Sequence, residues 1–212
     1  GITDGAAALL VMGEDEAKRR GIKPPAPKPA LEMRPRSLSV SDVESWMANP
    51  YALFAARILT LEPLPPLGQE PDASLRGAIV HEALGRFAVK YPDALPADCR
   101  AELLAIAEGV LAEYAGSPRV AAFWVPRFAR FAAWFGATEA GRRSGIARTL
   151  AEIDGRTVLA GPAGPFTLRA RADRIDVGSG GIVITDYKTG ANLAQLAGRA
   201  VRGEAPQLAL EA

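Results

Sequence analysis

Apolar residues in this chain follow one period through its first two-thirds and another afterwards. From Ser74 to Tyr91, the residues Leu75, Ile79, Val80, Ala83, Leu84, Phe87 and Ala88 recur at helical spacing, which predicts a helix with one buried face. The same period predicts helices over Asp98–Tyr114 and Pro118–Arg143. The second of these carries Phe123, Trp124, Phe128, Phe131, Trp134 and Phe135 on one or two faces, so the rings read as core rather than as a platform for bases. Upstream, Ser37–Asp42 has the composition of a helix entry. Ser39 or Ser41 caps the run Val43–Trp46–Met47, and Asp42 and Glu44 suit the positive end of the helix dipole. Asn49-Pro50 ends that helix, Tyr51–Leu61 predicts a short second one, and Pro63–Gly68 reads as a loop.

After Arg143 the period falls to two. Arg148–Ile153, Arg156–Leu159, Phe166–Val177 and Ile182–Tyr187 read as strands, with turns expected at Asp154-Gly155, at Gly161–Pro165 and at Gly178-Ser179-Gly180-Gly181. Ile182-Val183-Ile184 is apolar throughout and is expected to be buried. Helical character returns after Gly190. Helices, then paired strands, then helix predict an α/β domain whose central sheet is flanked by helices.

Two segments precede this domain. Ala6–Arg20 is rich in Ala and Leu and reads as a helix; Gly21–Pro35 holds five prolines among basic residues and reads as an extended linker. The expected division is residues 1–36 and residues 37–212. The chain begins without Met and stops in what reads as the first turns of a helix at Leu210-Glu211-Ala212, so a piece of a longer protein is expected.

Composition narrows the choices. Among 212 residues, 49% are hydrophobic and 23% charged, as in ordinary globular proteins, and the net charge of +1 announces no polyanion partner. Cys99 is the sole cysteine, which excludes an internal disulfide and a four-cysteine metal site. No apolar run approaches membrane-spanning length and no signal peptide is evident, so a cytoplasmic protein without a membrane partner is expected. There is no Gly-rich loop ending in Lys-Ser/Thr, so ATP hydrolysis is not expected of this stretch. Charge is clustered nonetheless. Arg119, Arg127, Arg130, Arg142, Arg143 and Arg148 run with Glu139 as the only acid among them, and Arg169, Arg171 and Arg174 form a second group.

That second group flanks the chemistry. On a strand, Asp186 and Lys188 share a face and Tyr187 takes the other. Asp173 lies thirteen residues earlier, and a hairpin turning at Gly178–Gly181 brings it beside Asp186. Two carboxylates with room for water suit Mg²⁺, with Mn²⁺ as an alternative, and a neighbouring lysine suits a phosphate or a metal-bound hydroxide. A plain ion pair without metal is the competing explanation. His81, the sole histidine, is either a helix histidine making one hydrogen bond or an imidazole ligand completing the site, and its position alone does not choose. Beside such a centre, the arginines read as a surface that grips backbone phosphates.

Arg76-Gly77-x-x-x-His81, Asp173-Arg174-x-Asp176, Asp186-Tyr187-Lys188-Thr189-Gly190 and Pro206-Gln207-Leu208, in that order, resemble the RecB-like branch of the PD-(D/E)XK nucleases. Ser39-Val40-Ser41 with Asn49-Pro50-Tyr51-Ala52-Leu53-Phe54-Ala55 resembles the nuclease domains of AddB, a subunit of bacterial AddAB helicase–nucleases. The resemblance spans about Ser37 to Ala212. It implies a restriction-endonuclease-like core with a mixed central sheet flanked by helices. It also implies Mg²⁺-dependent hydrolysis of DNA, with exonuclease action expected, during double-strand break repair beside an AddA-like partner subunit. By the same resemblance Asp173 and Asp186 are metal carboxylates, Lys188 is the catalytic lysine, His81 and the Tyr187 carbonyl join the metal, and Gln207 is the helix glutamine of the site. Arg76, Arg171 and Arg174 are the expected DNA contacts. Two departures stand out. Asn49 occupies the place of the first cluster cysteine of many relatives, so no iron–sulfur cluster is expected. Glu211 stands where a tyrosine often follows the glutamine. A catalytically silent DNA-end-binding domain is the competing function.

Overall fold

In a computed structural model, residues 14–23, 27–62, 64, 73–112, 124–190 and 193–211 are described. The chain divides into two compact units, Gly1–Arg34 and Pro35–Ala212. The first contains α1 (Glu14–Arg19) and a 3₁₀ turn at Leu31–Met33; the Ala6–Gly13 part of the expected helix lies outside the described residues.

The second unit begins with β1 (Ser37–Ser39), α2 (Val40–Ala48) and α3 (Pro50–Arg57). Ser39 is the N-cap of α2. Its hydroxyl accepts from the Asp42 N–H at 3.0 Å, and the Asp42 carboxylate accepts from the Ser39 N–H at 3.0 Å, a reciprocal capping box. Asn49 caps α3, with Pro50 at its first turn. Next come α4 (Ala73–Lys90), α5 (Cys99–Ala112) and α6 (Val125–Arg142). Their apolar stripes form the core of Leu84, Phe87, Leu103, Phe128 and Phe135. Phe87 meets Phe135 edge to face at 5.0 Å, and burying each such ring stabilises the fold by about 1.5–3 kcal/mol. Phe128 and Phe135 are core, as their spacing predicts, whereas Trp134 is 48% exposed. Phe123 lies outside the described residues.

β2 (Ile146–Gly161), β3 (Gly164–Gly178), β4 (Gly181–Thr185), α7 (Leu193–Val201) and α8 (Gln207–Glu211) complete the unit. Four strands form a mixed sheet among the described residues. β2 pairs with β3 antiparallel along its length. On the other edge of β3, β1 runs parallel over Thr167–Arg169 and β4 antiparallel over Arg174–Gly178. The architecture is α/β, with a mixed sheet and flanking helices.

Two sequence expectations fail here. Asp154-Gly155 is no turn: it lies inside β2, opposite Arg171 and Ala170, and the chain reverses at Gly161–Gly164, where Gly164 takes a φ of +106° that suits glycine. The run Ile182-Val183-Ile184 is not a buried strand. Ile182 and Val183 are 67% and 55% exposed, because β4 pairs only with β3 among the described residues. No helix among the described residues is long and apolar enough to cross a membrane.

Candidate active site

The site forms where two strands end against the middle of β3. β1 finishes its pairing at Ser39, opposite Arg169, and β4 finishes at Thr185, opposite Arg174. One runs parallel to β3 and the other antiparallel, so both carboxyl ends point at the stretch 170–173. The two strand ends converge there and leave an opening in that edge of β3. Asp173 lies in that opening. The β4 ladder stops because the next donor, the Tyr187 N–H, turns to the Asp173 carboxylate and donates to Oδ2 at 2.7 Å. Asp186, Tyr187 and Lys188 therefore follow the strand rather than belong to it, contrary to the predicted Ile182–Tyr187 strand.

α4 brings His81 to the same opening, its Nδ1 3.4 Å from Asp173 Oδ2 and its ring edge-on to Tyr187 at 5.9 Å. Asp173's hydrogen bond raises the pKa of His81, outweighing burial. Burial pushes Asp173 up, but the His81 hydrogen bond, the Tyr187 N–H and nearby positive charge together hold its carboxyl below the usual value. Arg76 does not face outward as the expected DNA contact. It donates to the Thr189 carbonyl at 2.9 Å and so holds the segment after Lys188 against α4. A Cβ on Gly77 would stand 3.3 Å from Thr189 Oγ1, and glycine permits that close crossing.

Lys188 Nζ lies 2.8 Å from Asp186 Oδ2 and 3.0 Å from Gln207 Oε1. The Gln207 amide donates from Nε2 to Asp186 Oδ1 and to Glu211 Oε1, both at 2.9 Å. Glu211 Oε2 is buried without a hydrogen-bond partner among the described residues. Burial, with Asp186 and Asp173 nearby, raises the Glu211 pKa against the Gln207 hydrogen bond. Glu211 thus belongs to the site, which its departure from the tyrosine pattern left open; its position one turn after Gln207 was the available signal. Glu152 was also missed. It sits on β2 between the pairs Ala151–Arg174 and Ile153–Ala172, across from Asp173, with a φ of +56°. A left-handed glutamate inside a strand costs about 1–3 kcal/mol, and such strain concentrates at functional sites. No sequence pattern marks it.

The expected DNA contact Arg174 is corrected. It is 3% exposed and pairs with Glu139 Oε1 at 2.8 Å and with both oxygens of Asp176 at 2.9 Å. Alternation along β3 turns it away from Asp173 and into the helical layer. Arg143 shares Glu139 with it. The arginine run is therefore no continuous phosphate surface: Arg142 lies over the Trp134 ring, Arg148 faces Asp93 at 3.6 Å, and Arg119 is outside the described residues. Arg171 is exposed and pairs with Glu152 at 2.8 Å.

Carboxylate oxygens and an imidazole suit a hard divalent cation in kind. As the chain stands they form two couples, His81–Asp173 and Asp186–Lys188, and among the described residues no three acids, histidines or cysteines gather as one cluster. Lys188 supplies the positive charge beside Asp186, and the orphaned Glu211 oxygen leaves carboxylate capacity in the site.

A family model described as the PD-(D/E)XK nuclease superfamily matches residues 37–210. The chain belongs to that superfamily. Members are generally nucleases, so the opening on β3 is the candidate catalytic centre of a nuclease domain. An uncharacterized protein of Rickettsia bellii is 29% identical over 157 residues, and one of Rickettsia typhi is 30% identical over 161 residues. Each alignment covers 74% of this chain and 19% of the relative, so the chain spans about a fifth of the length of these curated relatives.

Proposed function

We propose that this PD-(D/E)XK domain hydrolyses phosphodiester bonds of DNA, with Mg²⁺ held by Asp173, Asp186, His81 and the Tyr187 carbonyl. The observation that carries the reading is the meeting of Asp173 and the Asp186–Lys188 couple at the ends of β1 and β4. When bound, the metal acidifies a water and neutralises charge growing on the phosphate. The chain does the remaining work. His81 and the Tyr187 N–H fix the Asp173 carboxylate. Both oxygens of Asp186 and the Gln207 carbonyl hold the Lys188 ammonium at the mouth of the site. From there its charge is placed to hold a non-bridging phosphate oxygen as negative charge develops.

The sequence likeness to AddB supports a wider reading: exonucleolytic processing of double-strand breaks for recombinational repair, within a helicase–nuclease complex containing an AddA-like subunit. The paired couples also suit a silent DNA-end-binding domain. Incubation with linear single- and double-stranded DNA and with RNA, in Mg²⁺ or in EDTA, separates these. Metal-dependent loss of DNA with RNA spared is expected; DNA binding without cleavage, even with the helicase partner added, would establish the silent domain instead.

A further inference from the structure

Asp173 shares its face of β3 with Arg171 and Arg169, at successive alternate positions. Arg169 stands directly opposite Arg156 on β2 and opposite Ser39 on β1, so Arg156, Arg169 and Ser39 form one row across three strands. Two guanidiniums in register across a strand pair repel, and native sheets ordinarily set an acid opposite a base there. Neither Arg156 nor Arg169 has an ion-pair partner among the described residues, and both are exposed. The repulsion is uncompensated within the described chain, and a bound anion removes it. The row floors a groove of about 700 Å³ that also touches Arg171, Gln207 and Glu211 and so reaches the catalytic opening. Its one other acid, Asp154, stands opposite Arg171.

We infer that this groove carries a single strand of the substrate, with Arg156 and Arg169 clamping a backbone phosphate some nucleotides away from the bond cut at Asp173. The inference rests on the nuclease reading and adds the path of the substrate. Four residues of strand separate Arg169 from Asp173, roughly 13 Å at ~3.3 Å per residue, a distance that a single strand spans in a few nucleotides. The row is two strand spacings wide, roughly 10 Å, less than the ~12 Å of a duplex major groove alone. One polynucleotide strand fits it.

The test is binding without catalysis. Fluorescence anisotropy of a labelled oligothymidylate of about a dozen nucleotides, in EDTA, is followed against salt for the wild-type chain, Arg156→Gln/Arg169→Gln and Arg156→Lys/Arg169→Lys. The glutamine pair should bind about tenfold or more weakly, with a salt slope shallower by about 0.7 for each phosphate it no longer neutralises. The lysine pair should keep most of the slope, because it keeps the charge, and it serves as the folded comparison if the glutamine pair is unstable. Unchanged affinity and slope in the glutamine pair, or a folded lysine pair whose slope falls short of wild type by as much as loss of both charges predicts, would overturn the inference. The failures are distinguishable. Arginine-dependent binding with no cleavage in Mg²⁺ would sink the catalytic reading alone, and cleavage with arginine-independent binding would sink the groove alone.

Discussion

His81 Nδ1 and Asp173 Oδ2 lie 3.4 Å apart, and each changes the other's proton affinity. The Asp173 hydrogen bond lifts His81 above its ordinary 6.5. Burial opposes but does not prevent the lowering of Asp173 below 3.8, which His81 and the Tyr187 N–H bring about. The raised histidine contributes stability that is complete below its unfolded pKa and is lost as pH rises through the folded value. The lowered aspartate contributes stability above its unfolded pKa and loses it as pH falls through the folded value. The pair is therefore most stabilising between about pH 4 and 6.5.

Because His81 is the sole histidine, one imidazole signal reports it. In metal-free protein that signal should titrate above 6.5, and Asp173→Asn should lower its midpoint. A midpoint unmoved by Asp173→Asn would contradict the coupling. Protons also compete for this ligand, so Mn²⁺ affinity measured by calorimetry should weaken as pH falls from about 8 to about 6.

Lys188→Ala should lower kcat by about 10²–10³-fold, the scale of one lost transition-state donor. Mg²⁺ affinity should not fall, since the ammonium is a competitor for Asp186 rather than a ligand. Calorimetric Mg²⁺ binding beside single-turnover cleavage checks this; collapse of metal affinity would contradict the assigned role.

Glu211→Ala should reduce cleavage by about tenfold while leaving the melting temperature nearly unchanged. Two carboxylates face the Gln207 amide nitrogen and thereby direct its oxygen at Lys188. Removal of one carboxylate frees the amide to turn, an effect of about 1.4 kcal/mol for a tenfold loss. Wild-type rates in this variant would show that Glu211 does not hold the amide.

Arg174→Met should destabilise the fold by about 3–5 kcal/mol, because Glu139, itself fully buried, and Asp176 lose a shared guanidinium. Denaturant unfolding measures it. Oligonucleotide affinity of the folded fraction should match wild type, whereas a DNA-contacting arginine would show the reverse pattern.

The approach of Asp173 to the segment carrying Asp186 was legible because hairpin arithmetic is rigid. A turn at Gly178–Gly181 fixes Arg174 opposite Thr185 and carries Asp173 towards Asp186. Burial was less legible. Period two separates the faces of β3 but does not say which is covered, so Arg174 and Arg171 read alike although one is buried and the other exposed. Likewise Ile182 and Val183 read as core, since an apolar run does not distinguish a central strand from an edge. At Asp154-Gly155 long-range pairing with Arg171 and Ala170 overrides a local turn signal. Glu152 and the Arg156–Arg169 row emerge only from register and tertiary contact.

The most direct test of the central claim compares wild type with Asp186→Ala on linear DNA in Mg²⁺, with folding checked by circular dichroism. Cleavage present in the wild type, abolished by EDTA and lost in a folded Asp186→Ala chain is the predicted result. Undiminished cleavage by that variant in a nuclease-free preparation would contradict the account.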